Sequence, residues 1–167
     1  MNDMWWLGCG VVDDVEAAPV RRPTGAGFLV AQVGALGSRL FGDRLAGIGL
    51  TLPQSALMRA IAREPGRSQQ ALAEHLDVGP SRLVVLIDEL ERAGVVERRP
   101  HPTDRRQRAV HLTDAGRARM RELVVAAADH EDELCRSLDP DDRARLRELL
   151  GRIATDHGLR PGVHPGT

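Results

Sequence analysis

Apolar residues recur at helical spacing along most of the chain. Between residues 24 and 46, Leu29, Val33, Leu36 and Leu40 follow one another at steps of four, three and four, the stripe of an amphipathic helix that Phe28 and Phe41 widen. Gly34, Gly37 and Gly42 lower its intrinsic propensity, so this helix depends on packing against other elements or another subunit, and glycines permit close approach of a neighbour. Thr51-Leu52-Pro53 opens a second helix whose inner face carries Leu57, Ala60 and Ile61 before Pro65-Gly66 ends it. Ser68 suits the N-cap of a third, short helix that buries Leu72 and Leu76. The chain then turns through Asp77-Val78-Gly79. A fourth helix starts at Pro80, where the missing N–H is no loss; Leu83, Leu86, Ile87 and Leu90 form its apolar face and Gly94 stops it.

After Gly94 the pattern changes to strands. Residues 95–99 and 108–112 have strand character, and the link between them, Pro100-His101-Pro102-Thr103-Asp104-Arg105-Arg106, is rich in turn formers. Thr113 caps a long helix predicted to run to about residue 137, with Met120, Leu123, Val124, Ala127, Leu134 and Leu138 near one face. Asp139-Pro140-Asp141-Asp142 starts a last helix with the stripe Leu146, Leu149, Leu150 and Ile153.

The order of elements predicts a mainly α fold with a small β-hairpin wing: a winged helix-turn-helix core over 51–113, flanked by long amphipathic helices at 24–46, 113–137 and 140–156. The flanking helices are not needed for the core, and their apolar faces suit dimerisation. Together they make one domain over 24–156. Residues 157–167 are a C-terminal tail. Residues 1–23 are an extension, either loosely ordered or a short added helix that packs Trp5 and Trp6; they lack the basic start and long apolar run of a secretory signal.

Charge sharpens this picture. The formal net charge is −1, so any nucleic-acid binding must come from local segregation of charge. Such segregation exists: residues 98–108 hold five arginines against one aspartate, a density suited to phosphates and to a narrow minor groove. All 23 basic residues are arginine, and the aromatics are confined to Trp5, Trp6, Phe28 and Phe41, which argues against a stacking platform for single strands. Double-stranded DNA is the expected partner. Taking the Leu83, Ile87 and Leu90 side of the fourth helix as inward puts Ser81, Val85, Asp88 and Arg92 opposite, with Arg82 and Val84 flanking. Ser81 and Arg82 can reach bases or phosphates, a valine can touch a thymine methyl, and Asp88 would repel a phosphate. Ser68, Gln69, Arg99 and Arg108 complete the DNA-facing set at the start of the third helix and along the hairpin.

The motif Leu50-Thr51-Leu52-Pro53-Gln54, the segment Leu90-Glu91-Arg92-Ala93-Gly94-Val95-Val96, and above all Asp104-Arg105-Arg106 followed by Leu112-Thr113-Asp114-Ala115-Gly116 resemble the MarR family of bacterial winged helix-turn-helix regulators. The resemblance covers about residues 25–156. It implies a homodimer whose terminal helices interlock, recognition helices in successive major grooves of a pseudo-palindromic operator, and wings in the minor groove. It also implies that Arg106, beside Arg105, enters the minor groove, that Asp104 braces the wing, and that a small molecule acts as effector. Its pocket would lie between the dimerisation helices and the winged module, with Arg39 or Arg44 as possible anion anchors.

Other chemistry is sparse. No catalytic constellation or phosphate loop is present, so no enzyme activity and no cofactor are expected. The run Asp129-His130-Glu131-Asp132-Glu133 is read as a charged helix face rather than a metal site, because zinc needs three or four convergent ligands. Cys9 and Cys135, far apart and unpaired by any motif, suit a reducing cytoplasm; Cys135 reads as packed on the long helix, with redox sensing the other possibility. No stretch is long and apolar enough for a membrane span. The competing class is a winged-helix protein-interaction or non-specific architectural module, which the acidic balance favours and the arginine-rich hairpin opposes.

Overall fold

A computed structural model of the chain describes residues 25–100 and 108–160. Its elements run α1 (Ala26–Gly47), α2 (Leu52–Arg63), α3 (Gln69–Leu76), α4 (Pro80–Arg92), β1 (Val96–Pro100), β2 (Arg108–Leu112), α5 (Asp114–Leu134) and α6 (Pro140–Asp156). β1 and β2 pair antiparallel, with Val96 opposite Leu112 and Pro100 opposite Arg108. The hairpin begins one residue later than the strand pattern predicts. The Val95 N–H instead closes α4 by donating to the Leu90 carbonyl.

Caps set most of the boundaries. Thr51, Ser68, Thr113 and Asp139 each accept a backbone N–H of the first turn that follows, and Pro53, Pro80 and Pro140 occupy first-turn positions where no donor is lost. At Thr51 the cap is reciprocal: the Gln54 side chain accepts the Thr51 N–H, and its amide nitrogen donates to Glu89 of α4 at 2.9 Å. The motif around Thr51 therefore starts α2 and ties it to α4.

α2, α3 and α4 enclose the core with Leu57, Ile61, Leu72, Leu83, Ile87 and Leu90, closed by Val96 and Val110 of the hairpin and by Leu45 and Leu123 of α1 and α5. The α3–α4 turn pivots on Asp77, whose φ of 55° is left-handed; aspartate tolerates that conformation better than most side chains. Gly79 is extended and needs no special conformation there.

The terminal helices contribute little to this core. Leu29 and Val33 of α1 remain about half exposed, and α6 buries no residue at all. Their stripes face one another across a groove of about 480 Å³. Of the three glycines in the α1 stripe, Gly37 alone is buried in a close approach, against Leu134 and His130 of α5, while Gly34 and Gly42 face open space.

α5 departs from its expected pattern. It ends at Leu134, not near residue 137, so Cys135 is its half-buried C-cap residue and a free thiol. Its buried side chains are Leu123 and Ala126, whereas Val124 and Ala127 are exposed. Only a narrow line of α5 meets α1, α2 and the hairpin: Met120, Leu123 and Leu134 of the expected stripe lie along it, and Ala126 is buried where Val124 and Ala127 are not.

Candidate nucleic-acid interface

α4 is held by its buried face and presents the opposite one. Leu83, Leu86, Ile87 and Leu90 are inside; Ser81, Arg82, Val84 and Val85 are outside, with Val85 at 53% exposure. Ser81 and Arg82 lie in the first turn, immediately after Pro80, where free backbone N–H groups also point outward. Two donors and two valines thus share one exposed edge.

Asp88 is not the bare carboxylate that its place on the outward face suggests. It pairs with Arg98 of β1 at 2.5 Å, and the same guanidinium binds Glu91 of α4 and donates from Nε to Gln69 of α3 at 3.0 Å. The Arg98 backbone N–H also donates to Glu91, at 3.2 Å. Arg98, only 18% exposed, therefore locks the wing to both helices of the helix-turn-helix. The positive charge it adds to the hairpin faces α4 and is unavailable to phosphates. Strand alternation carries this signal, since Arg98 shares its strand face with Val96 and is directly opposite buried Val110.

We expect Arg98→Ala to cost about 1 kcal/mol of folding stability, because its carboxylate partners are partly solvated. The loss in DNA affinity is larger, roughly tenfold, since the wing loses its angle to α4 and the Asp88 carboxylate is left without its compensating cation. Urea unfolding and fluorescence anisotropy on one preparation measure both. Arg98→Lys restores little, because an ammonium cannot span three acceptors as the planar fork does.

The other candidate residues are placed as follows. Ser68 caps α3 by accepting the Ala71 N–H at 3.2 Å, and the Gln69 side-chain Oε1 accepts from Arg98 Nε. Arg99 lies on the strand face away from α4; it pairs with Glu97 and points toward α5. Arg108 is exposed at the outer end of β2 and has no ion pair among the described residues. Asp104, Arg105 and Arg106 lie outside the described residues.

The base of the wing is anchored at α5. The Thr113 hydroxyl donates to the Gly94 carbonyl at 2.6 Å and accepts the Gly116 N–H at 3.0 Å, while its backbone N–H donates to Val95. Gly116 packs so closely that an added Cβ would lie 1.9 Å from the Val95 oxygen. The run Leu112-Thr113-Asp114-Ala115-Gly116 thus joins the wing to the long helix by contacts that a larger residue at Gly116 would break.

A model of the MarR family matches residues 48–107, the segment that holds the helix-turn-helix and the first strand of the hairpin. The HTH-type transcriptional repressor Rv2887 of Mycobacterium tuberculosis is 33% identical over 132 residues, covering 78% of this chain and 94% of that protein. The chain belongs to the MarR family. A putative transcriptional regulatory protein for the hcr operon of Thauera aromatica is 32% identical over 105 residues, and the match spans 63% of this chain and 63% of that relative's length. Among solved structures, Rv2887 in complex with DNA superposes with a TM-score of 0.68 at 26% identity, over 77% of this chain and 97% of that one. A mutant MarR from Escherichia coli complexed with operator DNA gives 0.66 at 29% identity, over 76% and 91%. The MarR family is one of transcriptional regulators, and this MarR-family chain has its winged helix-turn-helix fold.

One reading of the flanking helices changes with the structure. Arg44 is not a free anion anchor: it binds Glu133 at 2.7 Å and lies 3.9 Å from Asp129, which ties α1 to α5. Glu131 pairs with Arg147 and Asp132 with Arg143. The acidic run is thus an ion-paired helix face, and among the described residues no group of three His, Cys, Asp or Glu is placed to hold a metal. His130 lies against Phe41 with ring centroids 5.1 Å apart; burial, then the Arg44 charge, push its pKa below the usual histidine range, partly offset by Glu133 and Glu131. No helix among the described residues is long and apolar enough to cross a membrane.

Proposed function

We propose that the protein is a homodimeric transcriptional repressor that binds a pseudo-palindromic operator, with α4 of each subunit in the major groove and each wing in the adjacent minor groove. One observation carries this reading: α4 buries one face completely and exposes Ser81, Arg82 and Val85 on the other, beside a hairpin that supplies Arg108. Relatives solved with DNA lend it support.

Arg82 is suited to guanine or phosphate, Ser81 to either, and Val85 to a thymine methyl. With so few donors on α4, much of the sequence preference arises from DNA shape, read by Arg105 and Arg106 at the wing tip with Asp104 bracing them. Ser68 and Gln69 position the backbone near α3. The subunits meet through the exposed stripes of α1 and α6, which set two half-sites about one helical turn apart. A small-molecule effector releases the operator by binding the low-affinity arrangement preferentially.

Competition anisotropy with operator variants tests the base-reading role. Arg82→Ala narrows the gap between operator and a variant changed at its guanine contact by roughly 1–3 kcal/mol. An unchanged gap would remove Arg82 from base recognition, and equal binding of operator and random DNA by the unaltered protein would favour a protein-interaction or architectural module.

A further inference from the structure

The structure assigns Arg160, which follows α6, to positioning the recognition helix α4: it caps α3 and so couples the aim of α4 to the place where α6 is held. That consequence rests on the proposed DNA-reading role of α4; the contact itself does not. α3 has eight residues, about two turns, too few to be stable without its neighbours. Its last carbonyls need donors. The Asp77 and Val78 N–H groups both return to the Ala73 carbonyl, which leaves the Glu74 and His75 carbonyls to be satisfied from elsewhere. One nitrogen of Arg160 donates to both, to His75 at 3.0 Å. The guanidinium also brings its charge to the negative end of the α3 dipole.

The chain beyond α6 is shaped to make this contact. The Gly158 N–H donates to Thr155 at 3.0 Å and the Leu159 N–H to Ala154 at 2.8 Å, a Schellman turn with Gly158 at a φ of 65°. Nothing crowds Gly158, so the left-handed backbone alone calls for glycine there. The reversal carries Arg160 back onto α3. Burial, then the Arg67 charge, push the His75 pKa below the usual histidine range, with Arg63 and Arg160 acting in the same direction and Glu64 against them. His75 is thus mainly neutral at pH 7 and does not repel its arginine.

The first half of α6 is held to α5 by Arg143 on Asp132 and Arg147 on Glu131. Its stripe of Leu146, Leu149, Leu150 and Ile153 stays partly exposed. A contact on that stripe displaces the helix as a unit, and Arg160 passes the displacement to the turn at Asp77, just before α4 starts at Pro80. The bias can be no larger than the worth of the cap, about fivefold in the population of one α4 placement.

Two measurements on the full chain test the assignment. Without DNA, amide hydrogen exchange followed by NMR should speed up about fivefold at Asp77 and Val78 in Arg160→Ala. With DNA, the same variant should lose about fivefold in its preference for the intergenic duplex beside the gene over random duplex, while random binding and its salt dependence stay unchanged. Arg160→Lys should restore most of both. Gly158→Val keeps the guanidinium but strains the turn; it should reproduce the losses and add nothing to them when combined with Arg160→Ala. Arg160 is exposed and lies beyond the last helix, so its replacement keeps the fold. Unchanged exchange at Asp77 and Val78, or faster exchange with the DNA preference intact, would overturn the proposal. So would an equal loss on both duplexes with a salt slope smaller by about one, which would make Arg160 a phosphate contact. If the unaltered chain binds both duplexes alike, the DNA-reading role of α4 fails, and the exchange result alone decides whether Arg160 sets the turn.

Discussion

Gly116→Ala is expected to destabilise the protein by roughly 3 kcal/mol, although the exchange would normally favour a helix by about 1 kcal/mol. Gly116 lies in the first turn of α5 with ordinary helical surroundings on its own helix. The obstacle is across the chain: the new Cβ would lie 1.9 Å from the Val95 oxygen and 3.3 Å from the Leu112 Cβ. Contact with an oxygen requires more than an ångström of further separation, and the obstructing atom is backbone. The Val95 carbonyl cannot retreat without losing the Thr113 N–H, and Thr113 cannot move without releasing Gly94. The strain therefore spreads to the wing base and the N-terminus of α5 together. Urea unfolding checks the size, and a loss under 1 kcal/mol would show that the wing and α5 are less firmly joined than their hydrogen bonds indicate.

Val33→Asp on α1 should convert the protein to a monomer and lower operator affinity by roughly 100-fold, while leaving the unfolding of the single chain nearly unchanged. Val33 is 49% exposed, so a charge there does not enter the core of its own chain. It does enter the groove that α1 shares with Leu146 and Leu150 of α6, where an unpaired carboxylate in a subunit contact is costly. Losing the dimer turns one bivalent event into two independent weak ones, and effective concentrations make that difference about two orders of magnitude or more. Light scattering and anisotropy decide the matter. A variant that stays dimeric with full affinity would move the subunit contact elsewhere.

Much of the fold is legible in the residues. The caps at Thr51, Ser68, Thr113 and Asp139 and the prolines after them mark helix starts because their chemistry is local, and the inner face of α4 follows from spacing alone. What spacing leaves open depends on partners remote in the chain. Counting charge over 98–108 treats Arg98 like its neighbours, but its direction is set by strand alternation and by Asp88 and Glu91, carboxylates on the helix before it. Gly116 is visible as a motif residue, and only the approach of Val95 explains why glycine stands there. The α5 stripe is right at Met120 and Leu123 and wrong at Val124 and Ala127, because a helix that meets the core along a thin line carries exposed valines as freely as buried ones, and Val124 and Val125 belong to a cleft. Arg99 is likewise a cation of the hairpin in sequence and a cleft residue in space.

Two arginine-bearing wings and two sparsely equipped recognition helices should still prefer an operator over other duplex. The most direct measurement titrates the full chain against the intergenic DNA beside its own gene and against random duplex of equal length, over a series of salt concentrations. We expect binding to both that falls steeply with salt, and a preference for the operator of roughly a thousandfold or more at matched salt, much of it lost in Arg106→Ala. Equal affinities for the two duplexes at every salt concentration would contradict it.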